Sequence, residues 1–259
     1  KIFYGRIFIK INKKSFTVFL CTMFCVSLFA QEQSVVRKSS TTENKKTETS
    51  VEQEYLSDVD GVVILSLAAS DEYDNKLVAM QFLESAVENG NTSEDIMKAL
   101  NQLAGEGISK QSRTNGRLMN NYPDIRRRAC LALGKIKTEQ SKEYLVQVTL
   151  AENEPMVIAA AVNSLGEIGF NNNDEVVDAI SFANRRNQIL NPTSSLAFEV
   201  LDAYEKLAPS TENKKIIVDS VAKIAADYHY VTPVRNKAVK LLKTISDASN
   251  SSNNTSEAK

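Results

Sequence analysis

One short pattern, Ala-x3-Leu-x2-apolar, recurs through the middle of this chain and restricts its possible folds more than any other feature. It occurs as Ala129-Leu133-Ile136, Ala161-Leu165-Ile168, Ala197-Leu201-Tyr204 and Ala238-Leu242-Ile245, with a weaker copy at Ala79-Leu83-Ala86. The strong copies stand 32, 36 and 41 residues apart. Positions i, i+4 and i+7 share one face of an α-helix. Each copy therefore marks an amphipathic helix, with a small Ala where a neighbour comes close. A period of this size signals helix pairs stacked into a solenoid, each pair burying its apolar face against the next. A closed helical bundle predicts no such register.

Start signals fall where this reading needs them. Pro123, Pro155, Pro192 and Pro233 precede their triplet alanines by five or six residues, and proline is favoured in a helix's first turn. After each triplet comes a polar break and a second start, at Thr92 or Ser93, Ser141, Asn173 and Thr211, each followed within three residues by an acid. A hydroxyl or amide cap plus an early acid complements the helix dipole. The second helices carry Ile96/Leu100/Leu103, Tyr144/Leu145/Val148, Val176/Val177/Ile180 and Ile217/Val221/Ile224. The unit is thus a helix, a turn and a helix, repeated four to five times behind a leading helix near 55–70. The absence of Trp, with only nine Gly and five Pro, agrees with helices rather than a sheet.

Tyr122-Pro-Asp-Ile-Arg-Arg-Arg-Ala-Cys-Leu-Ala-Leu-Gly-Lys-Ile136 resembles the first helix of HEAT repeats, especially the short HEAT-like repeats of phycobilisome lyases. Asp124, Ile125, Arg126, Ala129, Leu133, Gly134 and Ile136 occupy that pattern's positions. The next unit keeps Val157, Ala161, Leu165, Gly166 and Ile168 but has Ile158 where Arg is expected, and the last keeps Val234, Arg235, Ala238, Leu242 and Ile245. The unit around Ala197 departs from the pattern, with Ser194 at the Arg position and Ala203-Tyr204 at its end. The resemblance implies an all-α, short right-handed α-solenoid of antiparallel HEAT-like pairs over 54–246. It also implies that Asp124 and Arg126 belong to a structural ladder between repeats. Gly134 and Gly166 each cost a helix about 1 kcal/mol relative to Ala, which close contact with the second helix of the pair would offset.

The ends read differently. Lys13-Lys14, an apolar run from Phe16 to Ala30 and then Gln31-Glu-Gln make a secretory signal peptide over 1–30. Two other fates fit the segment, a lipid on Cys25 or retention as an anchor. Residues 31–53 hold almost no apolar side chains beyond Val35, Val36 and Val51, and 247–259 are similarly polar. These are expected to be a disordered linker and a disordered tail. The expected setting is exported and periplasmic, or membrane-anchored through the N-terminal segment.

Little here carries chemistry. Cys130 stands among helical apolar residues and reads as a buried core side chain. His229 is the one histidine and reads as a capping or surface residue. No spacing suits a metal and no nucleophile has a base beside it, so neither catalytic residues nor a cofactor are expected. The chain has 31 basic and 32 acidic residues, but five of the basic ones lie within 1–30, which contain no acid. The remainder carries about −6, a poor balance for nucleic acid. Against it, Lys110, Arg113, Arg117, Arg126, Arg127, Arg128, Lys135 and Lys137 face the single acid Asp124 across 110–137, a stretch that includes the irregular connection 105–121. This island reads either as a solvated helix face with structural arginines or as a docking patch for an anionic partner. A second candidate surface is the second-helix face, where Asn184, Arg185 and Arg186 are expected to be exposed. The partner-binding candidates are accordingly Arg113, Arg117, Arg127, Arg128, Arg185 and Arg186. The function expected is a non-catalytic protein-binding scaffold or adaptor in the bacterial cell envelope. The alternatives are a HEAT-like lyase-type enzyme and an envelope tether that binds an anionic partner through 110–137.

Overall fold

The computed structural model of the chain describes residues 61–256, with side chains described to 248. The expected signal peptide, the linker and the start of the solenoid lie outside the described residues. Within them the fold is an all-α solenoid of ten helices. The helices are α1 (61–69), α2 (Tyr73–Glu88), α3 (Glu94–Ala104), α4 (Pro123–Lys135), α5 (Glu139–Ala151), α6 (Pro155–Ile168), α7 (Glu175–Leu190), α8 (Ser194–Leu207), α9 (Lys214–Ala226) and α10 (Thr232–Ser256). The first helices α2, α4, α6, α8 and α10 pack in sequence on one another, and the second helices α3, α5, α7 and α9 do the same. Each second helix also packs against the next first helix, closing the core between two layers.

The triplets sit on the buried face as their spacing requires. Ala129, Leu133, Ala161, Leu165, Ala197, Leu201, Tyr204 and Ala238 are all nearly inaccessible. The closest approach lies between successive first helices, not within a pair as the sequence suggested. A Cβ on Gly134 would stand 2.4 Å from Ser164 Oγ of α6, and one on Gly166 would stand 2.9 Å from the Cα of Ala203 on α8. The small residue is needed because first helix meets first helix, with Ser164 Oγ donating to the Cys130 carbonyl at 2.9 Å.

Charges repeat across the same layer with acids ahead of bases. Glu84 accepts both arms of Arg128 at 2.8 and 2.6 Å, Glu88 meets Lys135 at 3.0 Å, Glu167 meets Lys206 at 2.5 Å and Asp202 pairs with Lys237. Such half-exposed pairs are worth about 0–1 kcal/mol each. They set register more than stability.

Several helix starts differ from the sequence reading. Pro123 and Pro155 open α4 and α6 as expected, and Pro192 lies two residues ahead of α8. Helix α5, however, begins after Thr138, whose Oγ1 accepts from Ser141 N at 3.2 Å, so Ser141 lies inside the first turn. Thr211 closes α8 by donating to the Leu207 carbonyl at 2.8 Å. The approach to α9 is held from the previous pair, where the Asp174 carboxylate accepts Glu212 N at 3.0 Å and Asn213 N at 2.7 Å. At the other end α10 continues to Ser256, past the expected boundary at 246. No glycine or proline between Pro233 and Ser256 interrupts it.

Candidate interaction surface

The connection between α3 and α4 organises the basic stretch. Asn115 and Gly116 have φ of 50° and 80°, the pairing of positive angles that a tight hairpin turn requires. Arg113–Thr114 (β1) and Arg117–Leu118 (β2) flank it as an antiparallel hairpin. A buried network anchors its base. Lys76 of α2 meets Glu106 at 3.0 Å, and Asn120 Nδ2 donates to Glu106 at 2.7 Å. Ion pairs this deeply buried hold a chosen geometry at the cost of desolvation.

The six candidate arginines are not brought into one patch. Arg113 lies opposite Leu118 and Thr114 opposite Arg117. Since adjacent strand residues alternate faces, Arg113 and Arg117 leave opposite sides of the hairpin. Arg113 also bonds within the turn, to Gln111 Oε1 and to the Gly116 carbonyl at 3.2 Å.

In α4, Arg126, Arg127 and Arg128 follow one another at about 100° intervals around the helix and take three different roles. Arg126 turns inward, is 2% exposed, and meets Glu152 at 2.6 Å while donating to the Glu106 carbonyl at 3.2 Å. Arg128 is held by Glu84 of α2. Arg127 faces out beside Leu131 and Met156, on the rim of a cleft of about 300 Å³ on the first-helix layer.

On the second-helix layer, Arg186 donates to the carbonyls of Leu150, at 2.8 Å, and Glu152. It thereby satisfies acceptors that the end of α5 leaves unpaired. Its guanidinium also lies over the Phe182 ring at 5.6 Å. Arg185 is exposed, but Asn184, expected at the surface, is buried at 2% exposure. Asn184 faces α9, where its Nδ2 donates to Ser220 Oγ at 3.0 Å. The helix is therefore rotated so that Arg185, and not Asn184, meets solvent. Residues Asn184, Gln188 and Ser220 line a notch of about 240 Å³ between α7 and α9. Asn184 Oδ1 is buried there without a hydrogen-bond partner, a cost of about 1–3 kcal/mol, while the Gln188 amide meets the Tyr230 hydroxyl. Spacing alone did not reveal this notch.

The residues read as chemically inert have structural settings. Cys130 is fully buried, and burial pushes its thiol up to about 12. Burial likewise pushes the Tyr204 phenol up to about 12. His229 is exposed, and its backbone N and Nδ1 bond Asp227 Oδ1 at 3.0 and 2.7 Å. The backbone N–H of His229 is the main reason the Asp227 carboxyl sits below the usual range. Among the described residues no group of His, Cys, Asp and Glu is placed to hold a metal ion, and no helix is long and apolar enough to cross a membrane.

A search of curated proteins returns no match to the chain. Residues 117–182, from the second strand of the hairpin to Phe182 of α7, match the family model of HEAT repeats.

Proposed function

We propose that this chain is a non-catalytic protein–protein interaction scaffold of the bacterial cell envelope. HEAT repeats commonly mediate protein–protein interaction, which fits the reading. The observation that carries it is how the arginines are used. Arg126, Arg128 and Arg186 are consumed by contacts inside the solenoid, whereas Arg117, Arg127 and Arg185 are exposed and form no ion pair among the described residues. Exposed Met156 and Phe198 add apolar area on the first-helix layer. Mixed apolar and arginine surface is the composition that protein interfaces favour. The envelope setting is supported by the basic head, apolar run and Ala30 of the N-terminal sequence. A second reading, an envelope tether for an anionic partner, is favoured by the exposed Arg113 and Arg117 on the two strands of the hairpin.

The test is photocrosslinking in cells from positions 113, 117, 127 and 185, with identification of the captured protein and fractionation of the chain. A discrete partner at one or more positions is the expected result. If that capture is lost in Arg113→Glu/Arg117→Glu while the melting temperature stays unchanged, the tether reading gains. Capture of nothing above background at any of the four positions would overturn the proposal.

A further inference from the structure

Among the described residues the solenoid begins and ends on half a repeat. A Cβ on Gly61 of α1 would stand 3.0 Å from Asp95 Oδ2, and the Ala68 carbonyl accepts from Gln102 of α3 at 3.4 Å. Both partners lie 34 residues further on, so α1 runs beside α3 as a second helix. No first helix precedes it among the described residues. Stepping the triplet Ala79-Leu83-Ala86 back by the same 34 residues gives Lys45, Thr49 and Glu52, which offer no apolar face for that place. Between α1 and α2 lies a cleft of about 440 Å³ lined by Gly61, Val63, Ile64, Phe82 and Ala86. At the other end α10 is a first helix with no second helix after it among the described residues.

The two ends match in detail. Between α4 and α6 the contact runs from Cys130 to Ser164, one and three residues past their triplet alanines. The same offsets from Ala238 and Ala79 give Val239 and Phe82, which are 57% and 55% exposed. Arg126 and Arg235 both stand three residues before their alanine. Arg126 meets Glu152, the residue that follows α5. Arg235 is half-buried, donates to Thr232 Oγ1 at 3.3 Å and forms no ion pair among the described residues. The stretch that follows α1 holds Asp71 and Glu72, both exposed and equally without an ion pair. Net charge runs the same way, with four cations against one acid in α10 and two cations against seven acids over 61–104.

We infer that copies of this chain stack head to tail, with α10 of one copy seated between α1 and α2 of the next as the missing first helix. Val239 packs on Phe82 across the joint, and Arg235 meets the acids that follow α1. Each joint completes one helix pair and continues both layers. A second copy is the occupant because the two open ends complement each other in helix type, apolar contact and charge. The joined surfaces differ, so the contact is heterologous and builds an open chain of copies or a ring, not a two-fold dimer. The inference does not rest on the scaffold reading, since it uses the ends of the solenoid and leaves both layers free.

The test is sedimentation velocity of the full chain over a concentration series, where association should appear and weaken as salt rises. Phe82→Glu blocks one end and Val239→Glu the other. Both side chains are exposed, so the melting temperature should stay within about 2 °C of the wild type, and each variant alone should sediment as a monomer. An equimolar mixture of the two keeps one intact joint and should form a dimer and nothing larger. Arg235→Glu should weaken the wild-type association about tenfold. The inference is overturned if the wild type stays monomeric at every concentration, if association persists in both end variants, or if mixing them restores nothing. Loss in Phe82→Glu with none in Val239→Glu marks a two-fold contact through the α1–α2 end and overturns it equally.

Discussion

Gly134→Ala separates local propensity from packing, because the two predict opposite signs. In an isolated helix this change stabilises by about 1 kcal/mol, so α4 taken alone favours it. The packed structure opposes it. The new Cβ would lie 2.5 Å from Ser164 Cβ and 2.9 Å from its Cα, well inside the roughly 3.5–4.0 Å of an ordinary carbon contact. Because a backbone atom is among the obstacles, a rotamer change at Ser164 gives no escape. Helices α4 and α6 must separate by about 1 Å, at an overpacking cost of about 1–3 kcal/mol. The bond from Ser164 Oγ to the Cys130 carbonyl is strained too, forfeiting about 0.5–1.5 kcal/mol. After the propensity gain, the net loss is about 1–3 kcal/mol. For a repeat domain of this size that lowers the melting temperature by about 2–10 °C, measured by circular dichroism at 222 nm. Gly134→Val should lower it further. The companion variant Ser164→Gly makes room on the facing helix, and in its background Gly134→Ala should cost less than half as much. That difference is a coupling between the two positions. A single variant as stable as the wild type, or a double variant showing no coupling, would refute the close first-helix packing.

Three further outcomes are expected. Arg126→Met leaves the Glu152 carboxylate buried without its cation and should cost about 3–5 kcal/mol, read from the urea midpoint; an unchanged midpoint would contradict the buried pair. Asp174→Asn removes the charge that binds the approach to α9 and should cost about 1 kcal/mol. Faster hydrogen exchange should appear at Glu212 and Asn213, and unchanged exchange there would rule out capping from the neighbouring repeat. Cys130 should resist a thiol reagent in the folded protein. With its thiol raised to about 12 by burial, the folded state keeps a proton that the unfolded chain releases above about pH 8.5. Stability should therefore fall as pH rises through that window, by up to about 1.4 kcal/mol per unit, and less steeply in Cys130→Ala. An equal slope in the two proteins would disprove the assignment.

The layers of the solenoid were legible because they rest on local periodicity. Ala129-Leu133 and Ala161-Leu165 each carry their face within one helix, and Pro123 and Pro155 mark their own starts. What the sequence hid is nonlocal. The carboxylate of Asp174 serves a helix that begins 40 residues later, at Lys214, and no pattern near Thr211 announces it. Three consecutive arginines look alike in a sequence, yet the helical rotation sends Arg126 to Glu152, Arg128 to Glu84 and Arg127 to solvent. The hairpin did have a readable signal in Asn115-Gly116. Its two-residue strands are too short to show the alternation that normally accompanies one.

The departures from the repeat explain how a solenoid carries a costly buried polar group without losing its fold. Each repeat contacts only its neighbours, so stability is close to a sum of local terms. An unbonded Asn184 Oδ1 therefore weakens the α7–α9 contact but leaves the α4–α6 packing around Gly134 untouched. In a closed core the same atom would weaken every element at once. Tyr204 fits this logic. It replaces the expected isoleucine in the one triplet that adjoins the notch, and its hydroxyl gives Ser220 Oγ a second hydrogen-bonding neighbour beside Asn184. Replacing Asn184 by valine should remove an unsatisfied acceptor. The gain from losing the unsatisfied Oδ1 is set against the loss of the bond that Asn184 Nδ2 donates to Ser220 Oγ, and the urea midpoint of Asn184→Val reads which of the two wins.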